Sequence, residues 1–308
     1  MIDMRDANMT ARATVGGQVG GDVTTRFAPS PTGALHAGHA WSAIHAHDRA
    51  RSVTGKFLLR IEDIDTGRSR PTHVAGILDD LRWLGLDWDG EVVFQSQRMD
   101  CYAATLESLR HRGLVYRCFC TRADIARELA ASASAPHGFD GALYPGTCRV
   151  LSPDASAARR NEPHAWRIDM ARAVASAGPL TWHDEIAGTI SADPLRHGDV
   201  VLARKDAGTS YHIAVTIDDA AQGVSHVVRG IDLFAATHVH RLLQALLDLP
   251  VPVWRHHALL TGPDGRRLAK RNDAPTLAAM RESGVDGRAF ADAMRSGRLP
   301  LGFGTASA

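Results

Sequence analysis

The first hundred residues alternate short apolar blocks with proline and glycine breaks. Residues 23–28 read as a buried strand, which Pro29, Pro31 and Gly33 end in a loop. From about Gly38 to Ser52 the spacing turns helical, with Trp41 and Ile44 on one face and Gly55 as the stop. Residues 57–61 form a second apolar run that ends in the acidic stretch Glu62-Asp63-Ile64-Asp65. Pro71 opens a helix with Ile77, Leu78, Leu81 and Leu84 at helical spacing, and Gly85 closes it. Met99, Tyr102, Leu106 and Leu109 mark another helix. Strand, helix, strand, helix in this order predicts an α/β domain with a parallel sheet.

Residues 118–194 break the rhythm. They hold several prolines, an Ala/Ser-rich stretch at 130–135 and three clustered cysteines, and they read as an insertion. The α/β pattern resumes at 199–204 and 211–217, before a helix through Val239, Leu242, Leu243 and Leu246. The domain reading is therefore a disordered tail at 1–22, a first catalytic half at 23–117, the insertion at 118–194 and a second half at 195–250. The remainder, 251–308, is a basic loop and a short helical part, with a frayed end around Gly302 and Gly304.

Composition narrows the function classes. The 308 residues are 44% hydrophobic, enough for a sizeable core. Formal net charge is +1, so RNA is met by a local patch, not by a strongly basic domain. No apolar run of membrane-spanning length occurs, and the N-terminus has no apolar signal core; a cytoplasmic protein with no membrane partner is expected. Four cysteines in a chain this long do not make a secreted disulfide framework. Cys101, alone in a helical pattern, reads as a small buried hydrophobe.

The most informative stretch is Arg26-Phe27-Ala28-Pro29-Ser30-Pro31-Thr32-Gly33-Ala34-Leu35-His36-Ala37-Gly38-His39. It carries the chain from a strand end into a helix N-terminus, where unpaired backbone N–H groups and the helix dipole attract anions. His36 and His39 project from one side of the first turn and can donate to phosphate oxygens. Gly38 removes a Cβ from the path of a flat ring. Alone, His-x-Gly-His would favour a proline-rich turn before a helix with two surface histidines. The whole dozen positions, however, resemble the class I aminoacyl-tRNA synthetases, and their glutamyl branch in particular. That resemblance implies a Rossmann-like catalytic domain that activates glutamate with ATP, with Mg²⁺ arriving on the nucleotide. It assigns His36, Gly38 and His39 to ATP.

A second basic stretch, Arg266-Arg267-Leu268-Ala269-Lys270-Arg271, follows the turn-rich Thr261-Gly262-Pro263-Asp264-Gly265. It is similar to the second class I motif, K-M-S-K-S. Lys270 falls on the second lysine, whereas Arg267, Ala269 and Arg271 depart from the pattern. The resemblance implies that Lys270 stabilises the ATP phosphates.

Glutamate carries an ammonium and two carboxylates, so its pocket needs an acid and at least two cationic or strong donor groups. The resemblance implies that residues 26–30 (Arg26, Phe27, Ala28, Pro29 and Ser30) wrap the substrate. Arg26 pairs with a carboxylate, Glu62 holds the ammonium, and Tyr211 and Arg229 complete the site, at strand ends. Asp218-Asp219 could bind metal, but a structural or RNA-proximal loop role is favoured.

Cys118-Phe119-Cys120 and Cys148 suit one structural Zn²⁺, which is four-coordinate. His137 suits the fourth position by general ligand chemistry, whereas the resemblance to truncated glutamyl enzymes favours Tyr144. Only 37 residues follow Arg271. A chain that has the catalytic half and lacks an anticodon reader resembles the glutamyl-queuosine tRNA(Asp) synthetase family. Its members transfer glutamate to queuosine in the anticodon of tRNA(Asp). Alternatives are a minimal enzyme charging tRNA(Glu), or a small-molecule nucleotidyltransferase of the same superfamily.

Overall fold

The computed structural model describes residues 22–131, 137–138, 141–262, 275–298 and 304–306. The proposed tail (to residue 21), Gly302 and the whole stretch from Arg266 to Asn272-Asp273-Ala274, including Lys270, lie outside the described residues.

Chain order begins β1 (Thr24–Phe27), α1 (Ala37–Arg51), β2 (Lys56–Ile61), α2 (Pro71–Trp83), β3 (Val93–Phe94) and α3 (Met99–His111). β4 (Val115–Cys118), α4 (Arg122–Ala131), the two-residue strands β5 (His137–Gly138) and β6 (Gly141–Ala142), and α5 (Pro153–Ala158) follow. Next are β7 (Ala165–Ile168), α6 (Met170–Ala177), β8 (Thr181–Asp184), β9 (Gly188–Ser191) and β10 (Val201–Ala203). The chain continues through α7 (Tyr211–Ala221), β11 (His226–Gly230), α8 (Ala236–Leu246), β12 (Val253–His257), β13 (Leu259–Thr261), α9 (Leu277–Glu282), α10 (Gly287–Arg295) and β14 (Gly304–Ala306).

Two sheets carry the architecture. β1, β2 and β3 pair in parallel, and so do β11, β12 and β8. They abut where Ser225 N donates to Thr24 O (3.0 Å) and Thr24 N donates to Ser225 Oγ (2.9 Å). From that seam β1 crosses outward through α1 to β2, and β11 crosses the opposite way through α8 to β12. Such a reversal opens a crevice beyond the carboxyl ends of the strands. A third sheet, antiparallel β10-β7-β4, has Cys118 at the end of β4. Within the stretch read as an insertion, β8 and β9 extend the sheet of β11 and β12.

Packing follows the predicted faces. Ala40, Ala43 and Ile44 of α1 meet Phe57, Leu59 and Ile61 of β2, together with Ile77 and Leu81 of α2. Leu277, Phe290 and Met294 join the same core, so α9 and α10 are seated on the first half-domain. Burying one such side chain is worth about 1.5–3 kcal/mol. A second core gathers Leu109 of α3, Ile168 of β7, Ile213 of α7 and Leu242 and Leu243 of α8.

Three expectations are corrected. Residues 211–221 are helical, so Tyr211 enters from a helix N-terminus and not from a strand end, and Asp218-Asp219 are helical, not in a loop. Short apolar runs look alike in either state when periodicity is the only guide. Cys101 is exposed: it points outward on α3, where Tyr102 and Leu109 take the buried face. Gly304–Ala306, placed in the frayed end, instead pairs antiparallel with β13; small residues there satisfy an edge that sequence does not reveal.

Candidate active site

A cleft of about 550 Å³ opens at the seam. Arg26, Phe27, Ala28, Pro29, Ser30, His36, Gly38, His39, Glu62, Tyr211 and Arg229 all line it. Residues more than 200 positions apart in sequence thus share one space. Trp41, Asp232 and His257, not foreseen, line it too.

The two histidines have a structural task that sets their chemistry. His36 is the N-cap of α1: its Nδ1 accepts from Gly38 N–H (3.1 Å), while His39 Nδ1 accepts from His36 N–H (3.1 Å). This reciprocal cap satisfies helix-terminal donors. It also sets the tautomers, because an accepting Nδ1 carries no proton and Nε2–H is the remaining donor. The rings lie 3.9 Å apart between centroids. A Cβ on residue 38 would meet the His36 ring at 3.0 Å, so Gly38 makes room for the cap itself. At Gly230, a Cβ would meet Asp232 Oδ1 at 2.5 Å and Leu259 at 2.7 Å.

Beneath the cleft floor lies a charge network. Asp219 accepts from Arg26 Nε (2.9 Å) and Nη2 (3.3 Å) and from Arg60 Nη1 (2.8 Å). Asp218 accepts from Arg98 Nε (2.6 Å), Gln95 (2.9 Å) and the Tyr102 hydroxyl (2.7 Å). Arg60 reaches Glu62 as well (3.3 Å), and its side chain is 0% exposed. Burial works against the Asp219 carboxylate, but Arg26 and Arg60 overcome it and hold the pKa below the ordinary value. For Glu62 burial prevails: the pKa is raised despite Arg60 and Arg26. The pair Asp218-Asp219 is therefore committed to arginines. In this structure the carboxylate on Arg26 is that of Asp219. Arg60, Gln95 and Arg98 were not singled out from sequence, although a lone arginine inside apolar β2 requires a buried partner.

Arg229 is held from several sides and is 5% exposed. Its Nε donates to His256 Nε2 (3.1 Å), which puts the ring proton on Nδ1 for donation to Asp184 Oδ2 (2.7 Å). The other Asp184 oxygen accepts from Ile186 N–H (2.9 Å) and Ala187 N–H (2.8 Å). Arg229 Nη2 donates to Thr237 Oγ1 (2.6 Å) and Leu233 O (3.1 Å). Its Nη1 makes the longer contacts, 3.2 Å to the Tyr211 hydroxyl and 3.4 Å to His240 Nδ1. His240 in turn meets His212 (3.2 Å). Burial drives the His212 pKa down to about 4 and that of His240 well below its usual value. Both are therefore neutral acceptors behind a permanent cation. Burial also raises the Tyr211 pKa, keeping its hydroxyl protonated.

Away from the cleft, the sulfurs of Cys118, Cys120 and Cys148 lie within 4.8 Å of one another. Cys120 and Cys148 Sγ are 3.5 Å apart, and the Tyr144 hydroxyl is 3.4 Å from Cys118 Sγ and 3.5 Å from Cys120 Sγ. Tetrahedral zinc with bonds of about 2.3 Å to sulfur sets ligand atoms roughly 3.5–3.8 Å apart, so this donor set fits. Phe119 N–H donates to Cys148 Sγ (3.4 Å), the type of contact that supports a thiolate. The side chain of His137, the alternative fourth ligand, lies outside the described residues.

The parallel sheets, the helix-capping histidines and the acid-and-arginine cleft define a class I aminoacyl-tRNA synthetase catalytic domain. Residues 22–296 match the family model described as tRNA synthetases class I (E and Q), catalytic domain, and the chain belongs to that family. It is 52% identical over 270 residues to the glutamyl-Q tRNA(Asp) synthetase of Rhodobacter capsulatus, covering 85% of this chain and 95% of that protein. The protein of the same name from Symbiobacterium thermophilum is 45% identical, covering 84% and 81%. A glutamate tRNA ligase from Elizabethkingia meningosepticum, solved in complex with its amino acid, superposes with a TM-score of 0.74 at 26% identity. The match covers 89% of this chain but only 60% of that longer one. Among the described residues no helix is long and apolar enough to cross a membrane.

Proposed function

We propose that the protein activates L-glutamate with ATP and transfers it to queuosine in tRNA(Asp), as the names of its relatives imply. The observation that carries this reading is a single one. One cleft holds an anion-attracting helix start, an acid and two arginines, the complement of a triphosphate beside a dicarboxylic amino acid.

In the proposed reaction the ATP phosphates lie across the start of α1. His36 and His39 donate from Nε2, the tautomer their caps require, and Lys270 adds positive charge. Mg²⁺ comes with the nucleotide. Glu62 meets the substrate ammonium. Arg26 and Arg229 serve the carboxylates, with Tyr211 sharing the Arg229 end. The glutamate α-carboxylate attacks the α-phosphate and pyrophosphate leaves; a queuosine hydroxyl then attacks the carbonyl carbon of the mixed anhydride, the bond from that carbon to the phosphate oxygen breaks, and AMP and the hydroxyl proton are released. No protein nucleophile is needed, so the rate comes from positioning and charge stabilisation. Cys118, Cys120, Cys148 and Tyr144 hold one structural Zn²⁺ remote from this chemistry. ATP and tRNA as substrates fit a cytoplasmic protein.

The test is glutamate-dependent exchange of labelled pyrophosphate into ATP without RNA, followed by transfer to tRNA(Asp) with and without queuosine. Exchange is expected without RNA, and transfer only with queuosine. Absence of exchange removes the activation step; transfer to queuosine-free tRNA removes the acceptor.

A further inference from the structure

A second cavity, of about 500 Å³, lies next to the cleft and shares none of its lining residues. Pro31, Pro71, Val74, Leu78 and Phe94 give it apolar walls. Asp63, Thr66, Ser69, Arg70 and Ser96 supply its polar groups, and in small-molecule pockets specificity rests on such a handful. Ser96 donates to both Asp63 oxygens, from backbone N (2.8 Å) and from Oγ (2.6 Å). A carboxylate has about four acceptor positions, so Asp63 is oriented by Ser96 and still has capacity for two donors. Arg70 stands at the rim. It donates to the carbonyl of Ser69 (2.8 Å) and forms no ion pair with any described residue.

The two cavities share a wall. Pro29 O accepts from Glu62 N–H (3.0 Å) and Pro31 O accepts from Arg70 N–H (3.2 Å), which pins the loop at 29–33 to the segment at 62–70. Pro29, Ser30 and Thr32 face the reaction cleft, while Pro31 faces the second cavity. Likewise Glu62 belongs to the cleft and the adjacent Asp63 to the cavity. A molecule bound in the second cavity is thus one loop away from the activated carboxyl group.

We propose that this cavity is the subsite for the base of the nucleotide that accepts glutamate, a guanine-type ring whose edge is read by Asp63. The inference rests on the proposed function and adds the place where the acceptor is recognised. Apolar walls that include the Phe94 ring suit a base removed from its stack, since unstacked bases are held against aromatic and apolar side chains. A guanine-type base offers two N–H donors side by side on its Watson–Crick edge, matching an oriented carboxylate with two open positions. Adenine and the pyrimidines do not offer that pair. Queuosine is a 7-deazaguanosine whose cyclopentenediol grows from the opposite edge of the ring. Binding through the Asp63 edge therefore leaves the reacting hydroxyls on the side away from the carboxylate. The unpaired cation at Arg70 complements the phosphodiester that must accompany the base.

Two variants test this, Ala75→Trp and Asp63→Asn. Ala75 lines the cavity from the exposed face of α2, where a bulky side chain fills it without entering the core. Pyrophosphate exchange needs no RNA and serves as the internal control. For Ala75→Trp, exchange is expected within about two-fold of the parent, while the KM for queuosine-bearing tRNA(Asp) rises at least about ten-fold. Asp63→Asn is expected to raise that KM comparably, because an amide replaces one acceptor by a donor facing the ring N–H groups. Transfer by Ala75→Trp at the parental KM, or equal losses in exchange and transfer, overturns the subsite. A parent protein that exchanges pyrophosphate but does not glutamylate the queuosine-bearing tRNA overturns the function reading, a result distinct from failure of the variants alone.

Discussion

Replacing Asp219 by asparagine tests whether the charge network under the cleft holds the site together. The six charged groups balance when Glu62 is ionised: Arg26, Arg60 and Arg98 against Glu62, Asp218 and Asp219. The neutral amide would leave one net positive charge where Arg60 is 0% and Arg26 5% exposed. The amide oxygen cannot serve all three N–H donors that reach Asp219 at 2.8, 2.9 and 3.3 Å, and the amide nitrogen would face a guanidinium. Breaking a buried pair in this way costs about 3–5 kcal/mol. With an unfolding entropy of about 2.1 cal/mol/K per residue over 308 residues, that is a fall in Tm of about 5–8 °C. Activity should suffer at one substrate, because Arg26 loses the carboxylate that fixes it and Arg60, which holds Glu62 (3.3 Å), loses one of its own anchors. The glutamate KM is expected to rise while the ATP KM holds. Asp206→Asn is the control: it removes an exposed pair with Arg204 (2.6 Å), worth at most about 1 kcal/mol. Differential scanning calorimetry and pyrophosphate exchange on the three proteins decide. If Asp219→Asn melts within about 2 °C of the parent with its glutamate KM intact, the network is not what holds the floor.

The remaining predictions are shorter. His256→Leu removes the acceptor behind Arg229 Nε and leaves Asp184 buried without its ring N–H; the glutamate KM should rise about ten-fold or more, and an unchanged KM refutes the positioning role. Lys270→Ala should cut adenylate formation far more than glutamate binding, measured by exchange rate against calorimetric affinity, with equal losses contradicting its assignment. Cys120→Ser should reduce bound zinc, read by elemental analysis, and lower Tm; parental zinc stoichiometry would dismiss the ligand set. Stability should also fall on acidification. Burial, the largest cause for both, lowers the pKa of His45 and of His212 to about 4 from an ordinary 6.5. The unfolded chain therefore binds more protons between those values. Each group's contribution, present above pH 6.5, is lost as pH drops toward 4, at up to about 1.4 kcal/mol per pH unit. Denaturant midpoints that do not move between pH 7 and 5 would show these histidines to be solvated.

How much was legible in advance depended on how local the cause is. The strand, loop and helix across residues 23–52 could be read directly, because proline, glycine and apolar spacing act within a few residues. So could the nomination of His36, His39, Glu62, Tyr211 and Arg229, though only through a resemblance spanning many positions. Three short segments escaped. Residues 211–217 are apolar enough for either state, and contact with α3 and α8 selected the helix. Cys101 looked like core until α3 was rotated by its true apolar face. Residues 304–306 became a strand because β13 offered an edge.

The chain by itself determines most of its elements, the helix-opening histidines and the closeness of Cys118 to Cys120, since these follow from near-neighbour sterics and patterning; Cys148, 28 positions beyond Cys120, is brought to them by the fold. Tertiary structure alone decided which charge answers which. Arg26 meets Asp219 across 193 positions, and Arg229 meets His256, backed by Asp184 72 positions earlier in the chain. A buried ion accepts only a partner at hydrogen-bond distance, and that distance exists only once both half-sheets have closed on the seam.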